Sequence, residues 1–317
     1  MRKPRETDQA LLARIDFARV AARERAGQRR NFRTAFLFMA PAIILVCGIL
    51  LAPVAYNLWL STTNWKKFKG LDEFIGLANY GKMATNPYFT EALINTGIWV
   101  LASILFPITI GLALAMFFRG IRLEGAFKTI IFIPRILAPT AVGVLWLLVY
   151  SPNGMFNTIL SFLAGYKIDV GWLYEQATVT PATVVTFVWQ TVGLVMVLML
   201  LGLNAIPKDP LEAAHIDGAS KLQVFTHIVL PMLLPTLLMV TILSVLAGFT
   251  VFDLLWVMGV SYPGQRSLSL AVFMYFEAFQ KGNWAFGSAI AVVIGLVVLC
   301  VTWFQAWLQH RVDRMMK

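Results

Sequence analysis

Six long apolar runs decide what this chain of 317 residues can fold into. They cover roughly 35–62, 93–118, 127–150, 181–204, 229–258 and 284–308. A bilayer core takes about 20 such residues per helix. Lipid offers no partner to an unpaired backbone group, so each run is expected to be helical. Composition agrees: 59% of the residues are hydrophobic and 13% are charged, against about 25% charged in soluble domains. The reading is an all-α membrane protein with six transmembrane helices. No stretch between the runs is long enough to hold a separate soluble domain.

Basic residues in the loops orient such a bundle, because Lys and Arg collect on the cytoplasmic side. The first 33 residues carry ten of them, and Arg119, Arg122 and Lys128 follow the second run. Arg311, Arg314 and Lys317 lie at the end. The loops of the other side hold Lys66, Lys67, Lys69, Lys82, Lys167, Arg266 and Lys281 over a greater length. Both termini are therefore expected in the cytoplasm, as in a multi-pass membrane protein with an even number of spans. The net charge of +10 is then a matter of topology, and no nucleic-acid partner is implied. Trp59, Trp65, Trp146, Trp256, Trp284, Trp303 and Trp307 fall near span ends, where amphipathic rings favour the headgroup level. The start is not read as a signal peptide: its charged part is too long and the apolar run exceeds an h-region. Residues 8–26 suit either a solvated basic flank or a helix lying on anionic headgroups. Cys47 and Cys300 sit singly in apolar runs, without the spacing of a metal site or a disulfide framework.

One polar loop is more than a spacer. In "DPLEAAHIDGAS", residues 209–220, Asp209 is placed to cap a helix. Pro210 follows at the first helical position, and Glu212 has the capping-box spacing. Gly218 is suited to end that helix in a left-handed turn. Ser220 and Gln223 offer a second capping box, and Pro231 and Pro235 are expected to bend the start of the fifth span. The product is a short exposed helix bearing the small residues Ala213 and Ala214. By local physics alone it is equally a capped connector or an element shaped to seat in a partner.

The stretch "EAAHIDGASKLQVFTHIVLP", residues 212–231, resembles the EAA–x3–G–x9–I–x–L–P signature of permease subunits of binding-protein-dependent ABC importers. Glu212, Ala213, Ala214, Gly218, Ile228, Leu230 and Pro231 occupy its defined positions, with Asp217 before the glycine. "GMFNTIL" (154–160), "GLNAIPKD" (202–209), "FDLLWV" (252–257) and "AFGSAIAV" (285–292) are similar to landmarks of the maltose-type and glycerol-3-phosphate-type sugar branch. That branch often has Thr-Gly-Gly-Pro after the fifth span, where this chain has "MGVSYPG" (258–264). The resemblance implies the type I importer permease fold, with a basic segment 1–33, a six-helix domain 34–308 and a tail 309–317. Loop 205–228 would be the coupling helix region, docking on a cytoplasmic ATPase dimer. The implied partners are that ATPase, a second and different permease chain, an extracytoplasmic solute-binding protein and a carbohydrate. ATP and Mg would be bound by the ATPase. This chain has no GxxxxGK[ST] loop and is not expected to be an enzyme.

Charges inside the spans are few. Arg135 lies about 8 residues into the third span, or about 12 Å by helix rise. Such an arginine needs water or a partner. It is read as a snorkelling side chain, as half of a carboxylate pair, or as a cation facing an anionic solute such as a uronate oligosaccharide, sulfonated sugar or sugar phosphate. The resemblance adds Trp189, Gln190, Ser244, Gly248 and Val251 to the same substrate cavity. Asp253 is a distant candidate for pairing with Arg135. Gly287, Ala291 and Gly295 form a small-residue stripe suited to close helix packing. An ion-coupled secondary transporter is the rival reading, but it needs a relay of intramembrane acids and leaves the loop unexplained. No HExxH, GxSxG or paired-acid motif points to an intramembrane enzyme.

Overall fold

The computed structural model describes residues 35–68, 70, 73–259 and 268–315. The basic segment 1–33, its candidate surface helix at 8–26 and most of the "MGVSYPG" loop lie outside them. The chain divides into two compact units, Met1–Asn57 and Leu58–Lys317. Most of α1 (Ala35–Leu60) belongs to the first. It contains a π turn at Val46–Leu51, and Leu37, Phe38, Ile44 and Ile49 on it are exposed.

The second unit is built on long helices joined by short ones. After α2 (Ala78–Ala84), Asn86 caps α3 (Pro87–Phe118) by accepting from Tyr88 N at 2.9 Å, with Pro87 at the first position. Next come α4 (Glu124–Ile136), α5 (Pro139–Val149) and α6 (Met155–Ala164). The central helix is α7 (Gln176–Asn204), the most buried of the span-length helices. The short helix α8 (Asp209–Ile216) follows. Then α9 starts at Lys221, widens into a π turn at Phe225–Val229 and runs on as Leu230–Phe249. Three elements finish the chain: α10 (Asp253–Met258), α11 (Leu270–Gln280, its second half a π turn) and α12 (Trp284–Met315). Among the described residues five helices have span length and composition.

The expected third span is the exception. Residues 127–150 are not one helix: α4 and α5 meet at a 97° bend. Proline explains the break. Pro139 lacks an N–H, and its ring pushes the preceding residue out of the helical region. Leu137 and Ala138 accordingly sit at ψ of 140° and 139°, in extended backbone.

Two apolar clusters stack along α7. One gathers Trp99, Val142, Phe187, Leu255, Leu270, Phe273 and Ile290. The other gathers Ala115, Met196, Met199, Leu200, Leu203 and Leu233. Small residues permit the tight approach. A Cβ on Gly111 of α3 would sit 2.7 Å from Val195 of α7, and one on Gly248 of α9 would sit 2.7 Å from the Val100 backbone of α3.

Candidate functional site

Two places carry the predicted residues: the polar loop and a cavity beside α7. In the loop, α8 begins one residue earlier than expected. Lys208 is already helical at φ −77°, ψ −32°, and its carbonyl accepts from Leu211 N and Glu212 N at 2.9 Å. Asp209 is therefore in the first turn and makes no cap bond, and no capping box forms with Glu212. Both carboxylates still lie near the positive end of the helix dipole.

The far end follows the sequence closely. Gly218 has φ of 73°. Gly218 N donates to His215 O at 3.2 Å and Ala219 N to Ala214 O at 3.0 Å, the paired bonds of a Schellman motif. The second capping box is complete: Ser220 Oγ accepts from Gln223 N, and Gln223 Oε1 accepts from Ser220 N at 2.8 Å. At Pro231 the helix answers the missing N–H with a π turn, in which Leu230 N donates to Phe225 O.

The loop is anchored on one side only. Leu211 packs against the second apolar cluster, and Ile206 is buried. Glu212, Ala213, Asp217, Gly218 and Pro231 are exposed, and Ala214, Ile228 and Leu230 are half-buried. Two large apolar side chains also stand out of the loop, Ile216 at 85% exposure and Leu222 at 71%. Neither belongs to the expected set, because the signature marks spacing and not which apolar residues protrude.

The cavity, of about 130 Å³, lies where the two apolar clusters meet. Its wall includes Ser103, Arg135, Phe187, Thr191 and Ser244. Ser103 Oγ donates to Ser244 O at 2.8 Å, tying α3 to α9. Thr191 Oγ1 donates to Phe187 O at 2.8 Å within α7. Arg135 is exposed in the last turn of α4. Among the described residues its guanidinium has neither an ion-pair nor a hydrogen-bond partner. Asp253, exposed at the start of α10, forms no pair with it.

The other predicted cavity residues are placed differently. Gln190 is buried, and its amide Nε2 donates to Leu137 O at 3.0 Å. Trp189 turns away, edge-on to Trp146 with ring centroids 5.6 Å apart. Gly248 is closed off by α3. Val251 is buried, and its carbonyl accepts from Ser269 Oγ at 3.0 Å. So the cavity brings together Arg135 and Ser244 from the predicted set. Ser103, Thr191 and Phe187 were missed. They lie in apolar runs with no local signal, and only the crossing of α3, α7 and α9 aligns them.

Comparison with known proteins gives the chain a family. The chain is 30% identical to the trehalose/maltose transport system permease protein MalF of Thermococcus litoralis, over 86% of this chain and 92% of that one. It is 30% identical to the sulfoquinovosyl glycerol transport system permease protein SmoG of Agrobacterium fabrum, over 84% and 87%. A solved bacterial alginate ABC transporter, in complex with alginate pentasaccharide-bound periplasmic protein, has a chain of the same fold. Its TM-score is 0.79 at 20% identity, with 90% of this chain and 97% of that one covered. Residues 107–314 match the model of the binding-protein-dependent transport system inner membrane component. They hold both the loop and most of the cavity wall, and the chain belongs to this family, the permease subunits of ABC importers.

Proposed function

We propose that this permease passes an anionic carbohydrate across a bacterial inner membrane, driven by ATP hydrolysis on separate subunits. The observation that carries the reading is Arg135: a guanidinium without a partner among the described residues, on the wall of a cavity that also presents Ser103, Thr191 and Ser244. A planar cation beside hydroxyl groups suits a carboxylate or sulfonate on a sugar. The relative named for sulfoquinovosyl glycerol transport supports a charged solute. The cavity is smaller than the roughly 300–1,000 Å³ of a ligand pocket. A second permease chain, different from this one, would complete the path. An extracytoplasmic binding protein would deliver the solute.

Loop 205–228 is read as the coupling element. It would face the cytoplasm and seat on the ATPase dimer, which binds ATP and Mg. Its exposed Ile216 and Leu222, beside Ala213 and Ala214, give a protruding surface that a cleft can enclose.

The test is ATPase stimulation of the reconstituted complex by its binding protein, loaded with uronate, sulfonated, phosphorylated or neutral sugars. Stimulation confined to the anionic sugars, and weakened at least about tenfold by Arg135→Gln, supports the reading; a bidentate charge-assisted contact is of that size. Equal stimulation by neutral sugars, indifferent to the substitution, returns Arg135 to a structural role. Glu212→Lys and Gly218→Asp should leave the chain in the membrane while uncoupling it. Full ATP-driven uptake by either variant would remove the coupling role.

A further inference from the structure

The bend of the third span leaves one carbonyl for another helix to satisfy. Pro139 supplies no N–H at the start of α5; Leu137 N still donates to Pro134 O at 3.3 Å and Ala138 O accepts from Val142 N at 3.0 Å, but the extended backbone leaves Leu137 O outside either helical ladder. In an apolar surrounding such a group needs a partner from elsewhere. The partner comes from α7. Gln190 is 4% exposed, and its Nε2 donates to Leu137 O at 3.0 Å.

The same face of α7 makes a second contact. Gly193 lies three residues on from Gln190, about one helical turn. A Cβ there would fall 2.2 Å from Ile131 O and 2.9 Å from Phe132 Cα. Only a glycine lets the α4 backbone rest this close. The two contacts bracket Arg135: Ile131 is four residues before it and Leu137 is two after. The helix bearing them is the most buried of the long helices, and so the firmest reference in the bundle.

We infer that Gln190 is a positioning residue: with Gly193 it clamps the broken span to α7 and thereby aims Arg135 into the cavity. The amide acts on Arg135 through the backbone at Leu137, not by touching a solute. This rests on the reading of Arg135 as part of the solute path and names what fixes it there. It also explains why a polar amide is buried beside a cavity that it does not line. The site's charge is supplied by α4, and its place is set by α7.

The experiment reads the position of residue 135 without needing the solute. Cys47 and Cys300 are exposed, so Cys47→Ser and Cys300→Ser give the background. Into it go Arg135→Cys and, separately, Ser244→Cys as a second cavity position on another helix. The rate of modification by a charged, membrane-impermeant methanethiosulfonate is measured in the reconstituted complex, with and without Gln190→Met. Methionine keeps the length and volume of glutamine but donates no hydrogen bond. The expected result is a fall of at least about fivefold in the rate at Arg135→Cys, with the Ser244→Cys rate unchanged. An unchanged rate at Arg135→Cys overturns the clamp. So does an equal fall at both positions, which would make Gln190 a general packing residue. If Arg135→Cys fails to react even with Gln190 in place, it is the solute-path reading that fails. Should Gln190→Met not assemble, Gln190→His retains an N–H donor. Recovery of assembly together with the fast Arg135→Cys rate then supports the clamp, and assembly with a slow rate counts against it.

Discussion

The loop after α7 and the cavity beside it are both functional candidates, yet they are specified in opposite ways. The loop is written in neighbours. Ala214, His215, Gly218 and Ala219 close the Schellman turn, and Ser220 and Gln223 close the capping box. Every partner lies within five residues. The cavity is written in crossings. Ser103 reaches Ser244 over 141 positions and Gln190 reaches Leu137 over 53. A substitution in the first should disturb a few amides; one in the second should disturb the bundle.

Gly193→Val is the severest way to test that contrast. The added atoms meet the carbonyl of Ile131, and backbone cannot step aside as a side-chain tip can. Overpacking of this kind costs about 3 kcal/mol or more when nothing yields. The purified chain should lose its cooperative thermal transition in detergent, or yield no monodisperse protein. A normal unfolding midpoint would mean that α4 does not rest on α7 as described.

Gly218→Val should do less, and do it locally. The left-handed backbone at φ 73° costs a residue with a side chain about 1–2 kcal/mol, more easily tolerated where nothing lies within 4 Å of the new Cβ. Hydrogen exchange at the end of α8 should quicken by about tenfold while α7 amides keep their protection. Ser220→Ala is milder again. Losing a helix cap costs about 1 kcal/mol, so amides of the first turn of α9 should exchange roughly fivefold faster. If either variant loosened α7 as well, the loop would not be the self-contained unit its hydrogen bonds describe.

This contrast is also why the chain was legible in some places and not in others. Apolar length alone located the five helices of span length among the described residues, because lipid leaves a backbone so few choices. Local chemistry found Gly218 and the Ser220–Gln223 box, because both partners of each bond lie in one window. It failed by one residue at Asp209, where Lys208 had already turned helical. It also treated residues 127–150 as continuous, although Pro139 marked the break. Of the six expected cavity residues, two, Arg135 and Ser244, line the cavity. Arg135 announces itself as a charge in an apolar run, whereas Ser103 and Thr191 look like ordinary span residues until α3, α7 and α9 cross. Gln190 enters through the family resemblance, but its bond to Leu137 depends on α7 lying against the bend, a crossing that no window of sequence shows.

The smallest loss is expected on α12, and it bears on how the permease meets other chains. In the sequence Gly287, Ala291 and Gly295 form one stripe suited to close helix packing. The structure divides them. A Cβ on Gly287 would sit 2.5 Å from Ala278 of α11, whereas nothing lies within 4 Å of one on Gly295. Gly295→Ala should therefore cost the isolated chain nothing, and as the better helix former alanine should add up to about 1 kcal/mol. Thermal unfolding of the purified chain checks this. A loss in the isolated chain would mean that the glycine is covered after all. Repeating the measurement on the assembled importer separates two further cases. No loss there leaves this face to lipid. A loss seen only in the assembly would show that another subunit rests on α12 at Gly295, using the open half of the stripe as this chain's own α11 uses the other.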